Sequence, residues 1–332
     1  MEFLRKHLGL IVRLVVCFGI LGFLATKIDW TSFWQAVVNT NPFWLGLAVL
    51  AWGGTLCWTA WRWYLLVHVQ GIRVSLLTVF QLTMVGQFFN AFMFGTTGGD
   101  VIKIFYATRA APTKRSAAGM SVIVDRVLGL AVLVIIAVVF VFWHYDFLVG
   151  NERTLTMVWI VLSVAAGLGC GLVAVIFLPL LKKAAKKLPL VHKLPMQDRL
   201  GRVYEAFARY RNDPIVMTTA TTLSVVNHFT IFVSCYLLTI AMGFDVPFWI
   251  FISFLPIIFL LIAIPLSFGG LGVREVLFAW FFGLLGVPEA DAIAFSLIFF
   301  MITLFWSVVG GLFYLRYKTP EGIQIDDLAQ SA

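Results

Sequence analysis

The chain has 332 residues and a net charge of +8; 61% of its residues are hydrophobic, only 12% are charged, and the mean hydropathy is +0.97. Soluble domains carry about 25% charged residues, so this composition excludes a water-faced globule and points to an all-α integral membrane protein forming one membrane domain over 1–332. The basic residues sit in short segments beside apolar runs, which is the positive-inside pattern rather than a nucleic-acid surface.

A spanning helix needs about 20 mostly apolar residues. The first candidate is 8–26, with Arg5, Lys6 and Arg13 holding the N-terminus in the cytoplasm. It lacks the small-x-small site of a cleaved signal peptide, so an uncleaved span is expected. The second is 43–67, which follows an external loop at Lys27 and Asp29 and returns to a cytoplasmic Arg62, His68 and Arg73. Trp52, Trp58, Trp61 and Trp63 lie near this span and suit an interfacial belt and packing. Residues 75–110 do not fit one span. They break at Gly95-Thr96-Thr97-Gly98-Gly99-Asp100, and both flanks are basic, with Arg73 before and Lys114 and Arg115 after. The pattern predicts a re-entrant helical hairpin entering from the cytoplasmic face.

Spans at 117–143 and 155–180 complete the first part of the chain. The segment 182–213 then carries nine of the 24 Lys and Arg, which places it in the cytoplasm. Leu200, Val203 and Phe207 recur there at helical spacing. That allows either a basic amphipathic helix on an anionic leaflet or a solvated charged loop. A span at 215–241 follows. Residues 248–286 break at Pro265-Leu266-Ser267-Phe268-Gly269-Gly270 and have external ends, which predicts a second hairpin of opposite orientation. A last span at 291–315 ends at Arg316 and Lys318, leaving the C-terminus inside. The expected architecture is six full transmembrane helices plus two re-entrant hairpins in a plasma (inner) membrane, with 1–143 and 215–316 as the two halves.

The two breaks resemble each other. Gly98-Gly99 is followed four residues later by Lys103, and Gly269-Gly270 four residues later by Arg274. With span, hairpin and span on either side, this predicts an inverted-topology repeat with a midplane site. Broken backbone at membrane depth is tolerated only where it is buried in protein or lines a wet cavity.

Ionisable residues inside the bilayer cost about 2.5–3.5 kcal/mol on insertion scales and persist where they are paired or used. Three clusters stand out: Asp100 with Lys103, Asp125 with Arg126, and Arg274 with Glu275. A helix that starts after a glycine pair presents free N–H groups and its positive dipole end to an anion. Lys103 and Arg274, one turn into those helices, add full charges. The matching ligand is a phosphate, which in a membrane means a lipid headgroup. Asp100 instead suits a helix cap, a cationic part of the headgroup or a proton. Asn90, Thr96, Thr97 and Ser267 suit either the headgroup or the broken backbone, while Asn227 and His228 suit ties between helices. No G-x-x-x-x-G-K-[ST] loop and no H-E-x-x-H helix is present. Neither a metal or cofactor nor a catalytic residue is expected.

The stretches Gly98-Gly99-Asp100-Val-Ile-Lys103, Ser116-Ala-Ala-Gly-Met-Ser-Val-Ile-Val-Asp125-Arg126 and Pro265-Leu-Ser267-Phe-Gly269-Gly270-Leu-Gly272-Val-Arg274-Glu275 carry a resemblance. Together they resemble the flippase-like membrane domain of lysylphosphatidylglycerol synthetases and their stand-alone relatives, over roughly residues 8–316. The resemblance implies translocation of a lipid with a modified headgroup and carries over Asp100, Asp125, Arg126, Arg274 and Glu275. Lys103 stands where arginine is usual, which keeps the charge and loses the bidentate fork. The soluble aminoacyl-transferase domain of fused members has no counterpart here, so lysyl transfer is not expected. The leading expectation is a non-enzymatic lipid translocase. A membrane-embedded lipid-modifying enzyme and a scaffold for a lipid-synthesising partner enzyme are the alternatives.

Overall fold

The computed structural model describes residues 38–90, 98–143, 209–210, 212–263 and 273–317, with scattered residues at 31–35 and 145–167. Eight α-helices occupy these segments: α1 (Pro42–Val69), α2 (Leu76–Asn90), α3 (Gly98–Ala110), α4 (Arg115–Trp143), α5 (Pro214–Ala241), α6 (Phe248–Ala263), α7 (Val273–Gly283) and α8 (Glu289–Arg316). Four of them, α1, α4, α5 and α8, are long and apolar enough to cross a membrane, and they coincide with the spans expected at 43–67, 117–143, 215–241 and 291–315. The span expected at 8–26 lies outside the described residues. So do most of 155–180 and of the basic segment 182–213.

The helices repeat in length: 28, 15, 13 and 29 residues, then 28, 16, 11 and 28. The local chemistry repeats with them. The Asn41 side chain accepts from the Phe43 N–H (3.0 Å) ahead of Pro42, and the Asp213 side chain accepts from the Val216 N–H (3.2 Å) ahead of Pro214. Each side chain satisfies one of the orphan donors at its helix start, and proline is pre-organised there. Both helices run 28 residues and stop two residues before a glycine with positive φ, Gly71 at 69° and Gly243 at 75°. Glycine adopts that conformation without strain. One offset, 172 residues, carries Asn41 to Asp213, Pro42 to Pro214, Gly71 to Gly243 and Leu76 to Phe248.

The packing repeats as well. α2 lies on α8 as α6 lies on α4; α3 lies on α4 as α7 lies on α8; α1 lies on α8 as α5 lies on α4. The two first helices pack on each other and run antiparallel. The Asn41 N–H donates to the Ala241 carbonyl (2.8 Å), the Ser234 hydroxyl to the Ala48 carbonyl (2.8 Å), and Arg62 Nη1 to Ser224 Oγ (2.9 Å).

The short helix pairs close at opposite ends of this bundle. Lys114 Nζ donates to the Gly71 carbonyl (2.7 Å), joining the two ends of the α2–α3 pair beside the C-terminus of α1. Phe282, near the end of α7, meets Phe244 and Phe251 at 5.5 and 5.4 Å, joining the ends of the α6–α7 pair beyond the C-terminus of α5. At 1.5 Å per residue, none of these four helices exceeds about 24 Å, short of a bilayer core of about 30 Å. The connections at 91–97 and 264–272, which carry most of both glycine motifs, lie outside the described residues.

Candidate functional site

Three ion clusters line the interior. The first is centred on Asp125, ten residues into α4 and 4% exposed. Its Oδ1 accepts from Arg62 Nε on α1 (2.7 Å), and its Oδ2 lies 3.8 Å from Lys103 Nζ on α3. Arg62 also donates through Nη1 to Ser224 on α5. A β-carbon on Gly129 would press to 3.1 Å from Arg62 Nη1, so glycine at that position makes room for the guanidinium. The second cluster is Asp100 Oδ2 with Arg126 Nε at 3.6 Å, and its side chains are 20% and 31% exposed. In the third, Arg274 Nη2 donates to Glu275 Oε1 (2.6 Å) and Nε donates to Ser296 Oγ (2.8 Å). Ser296 in turn donates to Glu275 (3.0 Å). The Arg274 guanidinium also covers the Phe300 ring at 4.9 Å.

These partners correct the sequence pairing. Asp125 pairs with Arg62 and Lys103 rather than with Arg126, which faces Asp100. Successive helix residues point about 100° apart, and on α4 this sends Asp125 towards α1 and α3 while Arg126 meets Asp100; on α7 the adjacent Arg274 and Glu275 do pair, as expected. Arg62 is also no cytoplasmic flank. It is 6% exposed inside the bundle. A signal for it was present: Thr55, Thr59, Arg62 and Leu66 form a stripe at helical spacing, and all but Leu66 line the cavity described below.

The glycine motifs also behave differently from the anion-site expectation where they are described. Gly98 and Gly99 are buried. The Gly99 N–H donates to Asn90 Oδ1 (2.7 Å), and a β-carbon on Gly99 would collide with the Gly86 carbonyl. That amide is therefore committed within the α2–α3 pair, and the glycine serves close helix approach. Ser267, Gly269 and Gly270 lie outside the described residues. Asn227 and His228 tie helices together. Asn227 Oδ1 accepts from the Thr59 hydroxyl (3.4 Å), and His228 Nε2 donates to the Gly129 carbonyl (2.9 Å).

A single cavity of about 330 Å³ joins these features. All eight helices contribute to its wall. Its described charged lining consists of Arg62, Lys103, Arg126 and Arg274 against Asp100 and Asp125; with Glu275 neutralising Arg274, one positive charge remains in excess. One wall is apolar, with Leu130, Leu133, Phe259, Ile262 and Phe299. Such a chamber suits an anionic polar group attached to an apolar tail.

The family model described as the lysylphosphatidylglycerol synthase TM region matches residues 10–311. A comparison with curated proteins gives no match.

Proposed function

This chain belongs to the lysylphosphatidylglycerol synthase TM-region family, and from that premise we propose that it moves a phosphate-bearing lipid between membrane leaflets. The headgroup passes through the cavity while the tails stay in the bilayer. One observation carries this reading: ion clusters on both short helix pairs open into one chamber with a positive excess. In a membrane crossed by α1, α4, α5 and α8, the antiparallel α1 and α5 make the two halves an inverted-topology repeat. The α2–α3 and α6–α7 pairs are then re-entrant hairpins from opposite faces. Proteins of that design bind at the repeat interface and change access by rocking one repeat against the other. The basic segment 182–213 lies against the anionic cytoplasmic leaflet of the plasma (inner) membrane, both termini are cytoplasmic, and a lipid-synthesising enzyme supplies the substrate. No chemistry on the lipid belongs to this reading.

The experiment is leaflet exchange of a labelled anionic phospholipid in proteoliposomes. Wild-type protein is expected to accelerate exchange. Arg126→Ala, whose side chain is partly exposed and not part of the buried core, is expected to fold and to lose at least tenfold in rate. Exchange at the protein-free rate with wild type, or conversion of the lipid to a new headgroup, would defeat the proposal.

A further inference from the structure

The four cations lining the cavity are held very differently. Arg62 spends hydrogen bonds on Asp125 and Ser224. Arg274 spends its own on Glu275 and Ser296 and also covers Phe300. Arg126 faces Asp100 at the more open edge. Lys103 differs from all of them. Its side chain is 5% exposed, yet among the described residues its amine donates no hydrogen bond. It lies 3.8 Å from Asp125 Oδ2, beyond charge-assisted hydrogen-bond range, and 4.3 Å from the centroid of the Trp63 ring. An ammonium carries three donors, and among the described residues none of them makes a hydrogen bond, the amine resting between Asp125 and the Trp63 ring at the cavity wall. Gly86 leaves room for the stem: a β-carbon there would come within 2.8 Å of Lys103 Cγ.

Asn90 completes the arrangement. It is one helical turn beyond Gly86 on α2 and also lines the cavity. Its Oδ1 is fixed as an acceptor by the Gly99 N–H, which leaves the Nδ2 group as a donor for the chamber.

We propose a division of labour that rests on the translocase reading: Lys103, with the Asn90 amide, is the phosphate-contacting group, while Arg62 and Arg274 are positioning braces. Arg62 holds Asp125, and Asp125 holds Lys103 by charge alone, without using its donors. An arriving phosphate therefore gains short, charge-assisted bonds that no protein group has to surrender. At Arg62 or Arg274 the same phosphate has to displace a bond already made. The shared chemistry is a phosphate monoanion or dianion, available from a lipid headgroup or from free phosphate.

The test is binding to purified protein in detergent, with dioctanoyl phosphatidylglycerol and inorganic phosphate as separate probes. Melting of the lipid-free protein is followed in parallel. Lys103→Gln is expected to lose tenfold or more in lipid affinity while its lipid-free melting stays close to wild type. Lys103→Arg is expected to restore affinity. Arg62→Gln is expected to melt clearly lower without lipid. Competition by inorganic phosphate would mark the phosphate itself as the recognised group, whereas lipid binding without such competition would mark the whole headgroup with Lys103 still in contact. Lys103→Gln with wild-type affinity, or melting as low as Arg62→Gln, would overturn the assignment. Wild-type protein that binds neither probe would overturn it too. Binding that follows this pattern without leaflet exchange would refute the translocase reading and leave the Lys103 assignment standing.

Discussion

Asp125→Ala is expected to abolish most folded protein. The substitution leaves Arg62 and Lys103 facing each other with side chains 7% and 5% exposed and no carboxylate between them. Removing one partner of a buried ion pair costs about 3–5 kcal/mol, because the remaining charge stays desolvated and uncompensated. Here two charges are left. The total stability of a domain is about 5–15 kcal/mol, so this single change consumes a large share of it. Arg62→Met is expected to be milder, since Asp125 retains Lys103, and Lys103→Gln milder still, since Asp125 retains its 2.7 Å contact with Arg62. The check is the yield of monodisperse protein and its melting temperature across the three variants. Asp125→Ala with wild-type yield and melting would show that the cluster does not hold α1, α3 and α4 together.

Gly310→Val is expected to have a comparable effect for a different reason. A β-carbon there would run into the Met84 carbonyl oxygen and come within 3.2 Å of the Phe88 nitrogen. Both are backbone atoms, which cannot rotate away. At the same crossing Gln87 Nε2 donates to Ser307 Oγ, and Ser307 donates back to the Gln87 carbonyl (3.1 Å each). Forcing α2 away from α8 therefore breaks polar ties as well as packing. Overpacking alone costs about 1–3 kcal/mol, and freeing buried polar groups adds to that. Gly46→Ala is the matched control. Nothing lies within 4 Å of its β-carbon, and alanine favours a helix by about 1 kcal/mol over glycine. Thermal melting of the two variants in the same detergent decides the matter. A Gly310→Val protein that melts with Gly46→Ala would mean that the α2–α8 approach is looser than the structure has it.

Much of the architecture was legible in the sequence because membrane spans are set by length and hydropathy, which are local properties. The four long helices and the two broken segments follow from that alone. The repeat was legible only through its glycine motifs, most of which lie outside the described residues. A stronger sign went unread: Asn41-Pro42 to Gly71 and Asp213-Pro214 to Gly243 share one spacing. It is visible only when helix caps are matched with positive-φ stops. Of the ion pairs, Arg274 with Glu275 was legible from adjacency, and the other partners were not. Asp125 finds Arg62, 63 residues away, and Arg274 finds Ser296, 22 residues away. Such pairings depend on how helices cross, and adjacency in sequence suggested others. Arg62 was hidden for a related reason. A basic residue near the end of an apolar run fits the positive-inside rule as well as it fits a buried site, and only its carboxylate partner on α4 distinguishes the two.

The central claim is that one chamber between the two short helix pairs receives a lipid headgroup through its phosphate. Single-particle imaging of the protein in nanodiscs with a short-chain anionic phospholipid tests it most directly. The account predicts headgroup density between α2–α3 and α6–α7, with its phosphate within hydrogen-bond reach of the Lys103 amine. Ordered lipids confined to the outer belt, with the chamber holding water alone, would contradict it.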